Sequence, residues 1–246
     1  MTGNGESEQK RATEPRYVPT SVDLEDWSRA ANRISHWNRQ RKWRLFEREI
    51  NPQPETKVLD VGYSDEEYSV TDNFIEKHYS YPEMLTALGI EKPQKFRDRY
   101  PKVNAIPYDG NEFPFEDDSF DVVWSNAVIE HVGNRLAQLQ FLRELYRVGR
   151  RAFITTPNRY FPVEVHTRTP LLHYLPKVVF DRYLRLVGKS WAAGSYMRLL
   201  SSHEIKSLLD EAGITDYRIH RNRLLGVTLD FVVMINGSGS GDTKLG

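Results

Sequence analysis

The sequence predicts an α/β domain in which a mostly parallel sheet carries helices on both faces. Three observations predict it. From residue 57 onward, short β-rich runs alternate with helical stretches, as expected of parallel strands joined by crossover helices. The first run, residues 57–62 (Lys-Val-Leu-Asp-Val-Gly), is apolar and ends in a glycine, the pattern of a buried strand that turns sharply into a loop. Two more β-rich runs follow a late helix, which brings the candidate strands to seven.

Ahead of the sheet, residues 23–50 read as a helix, and seven Arg or Lys between positions 29 and 50 oppose only Glu47 and Glu49. Such a basic face either meets an anionic substrate or a membrane surface, or is the solvated side of a helix anchored by Trp37, Leu45 and Phe46. After residues 57–62, strands are expected at 85–91, 103–108, 120–124 and 151–155, the last closed by Thr156-Pro157-Asn158. Between the fourth and fifth strands, Leu136, Leu139, Leu142, Leu145 and Tyr146 recur at helical spacing and predict an amphipathic helix over 135–148. Residues 160–200 break the alternation with clustered aromatics, prolines at 162, 170 and 176, and a basic helical stretch at 177–189, which reads as a helical cap inserted after strand 5. Ser202 is placed as the N-cap of a helix over 203–212 that Gly213 ends. Strands at 217–221 and 227–235 complete the sheet, the final one suited to an antiparallel edge. The expected organisation is a mobile N-terminal tail at 1–20, a domain at 21–235 and a flexible Gly/Ser-rich tail at 236–246.

Composition narrows the chemistry. At 246 residues and 39% hydrophobic, the chain buries a substantial core. Lys plus Arg (34) balance Asp plus Glu (34), which argues against binding nucleic acid through bulk charge. The absence of cysteine removes disulfides, zinc ribbons and thiolate nucleophiles. With no apolar run long enough to span a bilayer and no signal-peptide pattern, the chain is expected to be soluble and cytoplasmic.

Acidic residues end two successive strands. Glu91 stands where a carboxylate accepts hydrogen bonds from both hydroxyls of a ribose, and Asp109 where one accepts a hydrogen bond from an adenine amine; singly they are also a strand-end charge and a turn aspartate. Together with residues 59–62 (Leu-Asp-Val-Gly), 113–123 (Phe-Pro-Phe-Glu-Asp-Asp-Ser-Phe-Asp-Val-Val) and 125–132 (Ser-Asn-Ala-Val-Ile-Glu-His-Val), they make residues 58–158 resemble the class I S-adenosylmethionine-dependent methyltransferases of type 11. The resemblance implies a Rossmann-like, seven-stranded sheet with S-adenosyl-L-methionine across the carboxyl edge of the first strands. It also implies that Asp60 and Gly62 border the methionine portion, Glu91 the ribose, Asp109 and Gly110 the adenine, and Asn126 the transferred methyl.

One segment departs from the family. Its glycine-rich loop is replaced by Gly62-Tyr63-Ser64-Asp65-Glu66-Glu67-Tyr68, whose acidic residues repel the cofactor's carboxylate if they point inward and are harmless if they face solvent. A subgroup that resembles this chain even here follows such a loop with a string like residues 73–79 (Asn-Phe-Ile-Glu-Lys-His-Tyr). Glu130-His131 lies where some quinone O-methyltransferases hold a metal, but Ala127 replaces their acidic residue, so no metal site is expected. His131 is then either a general base or, with Glu130, a loop cap. Glu164 and His166 share one side of an extended cap segment and form a second candidate pair for base or acceptor contact. The expected reaction is O-methylation of a small, sugar-linked or lipid-linked acceptor, with peripheral membrane contact open. Nucleic acid is disfavoured, because neither the Asn-Pro-Pro-Tyr motif nor a cysteine is present. A catalytically inactive relative acting as a binding or scaffold protein is the alternative, and the missing G-x-G-x-x-G disfavours a nicotinamide enzyme.

Overall fold

The computed structural model describes residues 25–164, 169–175, 177–190 and 197–237. In chain order the elements are α1 (Glu25–Ile50), β1 (Val58–Val61), α2 (Phe74–His78), β2 (Leu85–Gly89), α3 (Gln94–Arg99), β3 (Asn104–Pro107), β4 (Val122–Asn126), α4 (Arg135–Val148) and β5 (Arg151–Pro157). The cap contributes β6 (Val163–Glu164), β7 (Thr169–Pro170) and α5 (Lys177–Leu186). The chain then continues through α6 (Ser202–Glu211), β8 (Tyr217–Leu224) and β9 (Val227–Asn236). The whole of the expected N-terminal tail at 1–20 and all but Asn236 and Gly237 of the C-terminal one lie outside the described residues. Asn236 itself belongs to β9, paired with Arg151.

The seven-stranded sheet runs β3-β2-β1-β4-β5-β9-β8. The five strands β3, β2, β1, β4 and β5 are parallel, and β9 runs antiparallel to both β5 and β8. The final strand is therefore interior, not the expected edge. Its composition explains why: Leu229 to Ile235 are buried on both faces, whereas β8 alternates exposed Arg218, His220 and Arg221 with partly buried residues and so tolerates solvent. A two-residue turn, Leu225-Gly226, joins them with φ of 50° and 84°, the geometry that favours Asn-Gly. Leu225 is 96% exposed. Leu225→Asn is expected to raise stability by about 0.5 to 1 kcal/mol in urea unfolding.

Two apolar layers sandwich the sheet. Leu59, Val61, Leu88, Val123 and Ile154 pack under α4 and α6, which completes one face. On the other, Trp43 and Phe46 of α1 meet Trp124 and Phe153, whose rings stack at 5.1 Å, while Phe74 and Phe96 bring in α2 and α3. The N-cap of α6 is Ser201, one residue before the expected Ser202. Its hydroxyl accepts from the Glu204 N–H, and the Glu204 carboxylate accepts from the Ser201 N–H, a reciprocal box that only this register permits.

Candidate functional site

Alternation along the strands places Asp60, Asn126, Thr155 and Asp230 on the α1 face at the carboxyl edge of the parallel strands, above the aromatic layer. Helix α1 lays Asn38, Arg39 and Lys42 over them. The Lys42 ammonium is buried, 3.2 Å from Asp230 Oδ2 and 3.3 Å from Thr155 Oγ1. Burial lowers its pKa, and the Asp230 charge opposes that shift. Thr155 donates to Asn126 Oδ1 at 2.7 Å, and Asn38 Nδ2 donates to Asp230 Oδ2. Asn126 Nδ2, Asn38 Oδ1 and Asp230 Oδ1 are buried without a partner, which is costly unless a ligand or water meets them.

Arg39 is the distinctive group. Burial disfavours its charge, and Asp72, Asp60, Asp230 and Glu130 favour it from a distance. Among the described residues its guanidinium makes no hydrogen bond or ion pair. Beside it, Asp60 and Glu76 form a buried carboxyl pair. Burial raises Asp60 to about 6, against the effects of a hydrogen bond with Glu76 and the Arg39 charge. Burial and the neighbouring Asp60 charge raise Glu76 well above the usual carboxylate range.

The loop after β1 is latched by side chains instead of being rich in glycine. Gly62 has φ of 114°, its N–H donates to the Leu88 carbonyl, and a Cβ there would stand 2.4 Å from Val128 Cγ2. Tyr63 fills the space over Gly89. Asn73 accepts from the Ser64 N–H at 2.9 Å and donates to the Ser64 carbonyl at 2.8 Å. The three acidic residues turn away from the carboxyl edge. Asp65 accepts from the Phe96 N–H, Glu66 pairs with Lys95, and Glu67 pairs with Lys77 at 3.0 Å and Arg99 at 3.3 Å. Burial works against the Glu67 charge, but hydrogen bonds from Tyr100, Lys77 and Asn73 hold its carboxyl below the usual range.

The other expected residues divide. Strand β2 stops at Gly89, short of the expected 91, so Glu91 stands two residues beyond it; its Oε2 accepts from the Asp65 N–H at 2.9 Å, which ties the ribose candidate to the latched loop. Asp109, exposed after β3, takes hydrogen bonds from the Asn111 backbone and side chain. Gly110 lies beside the 73% exposed Ile90, an apolar ledge between the two strand ends. Glu130 is fully buried and accepts from Thr156 at 3.0 Å, on the α4 side of the sheet. His131, partly buried, follows it in the turn, its N–H donating to the Val128 carbonyl. His166 lies outside the described residues, as does the Glu164 side chain; the Glu164 backbone pairs with Thr169 in the β6–β7 ribbon.

Sequence reasoning missed Arg39, Lys42, Glu76 and Asp230. It treated the cations of α1 as one basic face, turned to an anionic substrate, a membrane surface or solvent, yet Arg39 and Lys42 recur with Trp43 and Phe46 at spacings of three and four, which was the available signal for singling them out.

Comparison with known proteins agrees with this architecture. Residues 78–152 match the family model described as a methyltransferase domain, of type 11. The matched stretch and the seven-stranded fold are those of a methyltransferase domain like that of the class I S-adenosylmethionine-dependent enzymes, with the match covering about a third of the chain. A sarcosine/dimethylglycine N-methyltransferase of Aphanothece halophytica is 29% identical over 110 residues, 42% of this chain and 38% of that protein, so the match spans well under half of the relative's length. Among solved structures, Burkholderia thailandensis 1,6-didemethyltoxoflavin-N1-methyltransferase, with bound 1,6-didemethyltoxoflavin and S-adenosylhomocysteine, superposes with a TM-score of 0.52 at 14% identity. That alignment covers 91% of this chain and 93% of the other. Magnesium protoporphyrin IX methyltransferase from Synechocystis PCC 6803, with bound S-adenosylhomocysteine, gives 0.52 at 12% identity over 90% and 91%. These likenesses are of fold.

Proposed function

We propose that the chain transfers the methyl group of S-adenosylmethionine to the hydroxyl of a small, sugar-linked or lipid-linked acceptor. The observation that carries this reading is the unpaired Arg39 guanidinium beside the Asp60–Glu76 pair at the carboxyl edge of β1. A cation without a partner among the described residues, and carboxyls ready to ionise, complement the carboxylate and ammonium of the cofactor's methionine portion. In a family whose loop backbone ordinarily lies against the cofactor, the Ser64 and Asp65 N–H groups are here taken by Asn73 and Glu91, so Arg39 supplies the anchor. Glu91 would hold the ribose hydroxyls, and Asp109 and Gly110 with Ile90 the adenine. The cofactor supplies a methyl activated on a sulfonium, so the protein's task is to align donor and acceptor and to exclude water. Helix α1 roofs the site, and Lys42, Asp230 and Asn126 offer polar contacts for an acceptor and the proton it releases. His131 remains a candidate base, as does the Glu164–His166 pair.

A second reading, transfer to nitrogen, is favoured by the match to the N-methyltransferase of A. halophytica. Calorimetric titration with S-adenosylmethionine and S-adenosylhomocysteine, followed by labelled-methyl transfer to panels of hydroxyl and amine acceptors, separates the two. Saturable binding without transfer to any acceptor, or no binding by folded protein, would favour the inactive binding protein.

The carboxyl pair makes binding proton-linked. An ammonium docked on it favours the ionised form, so binding releases a proton, and affinity for S-adenosylhomocysteine is expected to fall as pH drops through about 6. Titrations at pH near 6 in buffers of different ionisation enthalpy should give different heats; identical heats would remove the pair from the site. In the free protein the raised pKa means that Asp60 stabilises the fold at low pH, a contribution lost as pH rises from 3.8 towards about 6.

A further inference from the structure

Of the eighteen large apolar residues exposed among the described residues, nine fall between Tyr160 and Val187. Most soluble surfaces scatter such residues, so this concentration in the cap calls for a partner. Helix α5 shows how it arises. Phe180 and Leu184 turn inward onto Leu172, and the helix's acidic residue, Asp181, is buried on that side. The opposite arc carries Val178 (81% exposed), Val179 and Leu186 (79% exposed), interleaved with exposed Arg182 and Arg185. Neither arginine makes an ion pair among the described residues. Leu171, Tyr174 and Leu175, in and beside the 3₁₀ turn that packs against α5, extend the apolar surface.

We propose that the outer face of α5, with the adjoining turn, docks on an anionic lipid bilayer surface. Charge complementarity selects this occupant. Aliphatic side chains interleaved with arginines, with no acid on the same arc, suit an interface where the apolar groups enter the acyl boundary and the guanidinium heads remain among anionic headgroups. The chain as a whole has zero formal charge, so the attraction belongs to this face and not to bulk charge. No helix among the described residues is long and apolar enough to cross a membrane, so the contact is peripheral. The cap follows β5 at the edge of the sheet that carries the polar layer. On the methyltransferase reading, docking there would bring a lipid-linked acceptor towards the site, although the docking itself does not depend on that reading.

The test uses the full chain, without cofactor, in flotation with phosphatidylcholine vesicles and with vesicles that also contain phosphatidylglycerol. The protein is expected to float with the anionic vesicles only, and less so as salt rises. Val178→Asp with Leu186→Asp, and separately Arg182→Ala with Arg185→Ala, are each expected to cut partitioning about 30-fold, with unchanged thermal unfolding and unchanged calorimetric binding of S-adenosylhomocysteine. Wild-type protein that ignores anionic vesicles, variants that bind as well as wild type, or a wild-type dimer that Val178→Asp with Leu186→Asp renders monomeric would each overturn the proposal, the last by assigning the face to a second copy. Because flotation needs neither cofactor nor turnover, its failure leaves the catalytic reading standing, and failure of cofactor binding leaves the docking surface standing.

Discussion

Arg39→Met is expected to weaken S-adenosylhomocysteine binding about 100-fold, on the order of 2.7 kcal/mol, in calorimetric titration. The sign on stability is the informative part. In the ligand-free protein Arg39 is a partly buried cation that no carboxylate engages directly, and methionine preserves its length while removing the charge. Its replacement should leave thermal unfolding unchanged or shift it upward, as when a poorly compensated buried charge is replaced by an apolar group. A residue that only held α1 to the sheet would behave oppositely, losing stability while retaining affinity. Arg39→Lys should recover only part of the binding, because an ammonium cannot present the two parallel donors that a carboxylate accepts.

The second large effect lies in the fold itself. Gly62→Ala is expected to cost about 2 to 4 kcal/mol in denaturant unfolding, from two separable sources. One is backbone strain, since φ of 114° is foreign to residues with a Cβ. The other is the Val128 methyl, 2.4 Å from where the new carbon would stand. Adding Val128→Ala to Gly62→Ala should recover the steric part alone, so the double mutant should fall short of Val128→Ala by the strain that remains. If Gly62→Ala unfolds like wild type, the close approach of the β1 and β4 ends is not rigid.

The strands were legible because a buried parallel sheet writes itself as short apolar runs, and Asp60 and Gly62 stood out at the end of the first. Helices α2 and α3 went unread, since five and six residues are too few to show a period. The latch was also hidden. Asn73 reads as a polar loop residue, and nothing local says that its amide closes on Ser64 nine positions earlier. The polar layer joins the most distant partners of all: Asn38 and Asp230 are 192 positions apart. A lone aspartate in the apolar stretch Leu-Asp-Phe-Val-Val and a lone glutamate in Phe-Ile-Glu were the visible marks of buried charge, but helical or strand periodicity names the face a residue takes and not what lies opposite. The acidic run 65–67 was legible as a problem, and its solution required the positions of Lys77, Lys95 and Arg99 in space.

The placement of β9 has a consequence for biosynthesis. Because residues 227–236 form an interior strand, β5 keeps an open hydrogen-bonding edge and β8 has no neighbour until that stretch is available to pair. The parallel half can collapse early around its two apolar layers, but the sheet is completed only after the polypeptide through Asn236 has left the ribosome. A chain cut short after Gly226 would leave the Ala152-Phe153-Ile154 edge ready to recruit a strand from another molecule. Premature termination there should yield aggregates in place of a smaller folded protein.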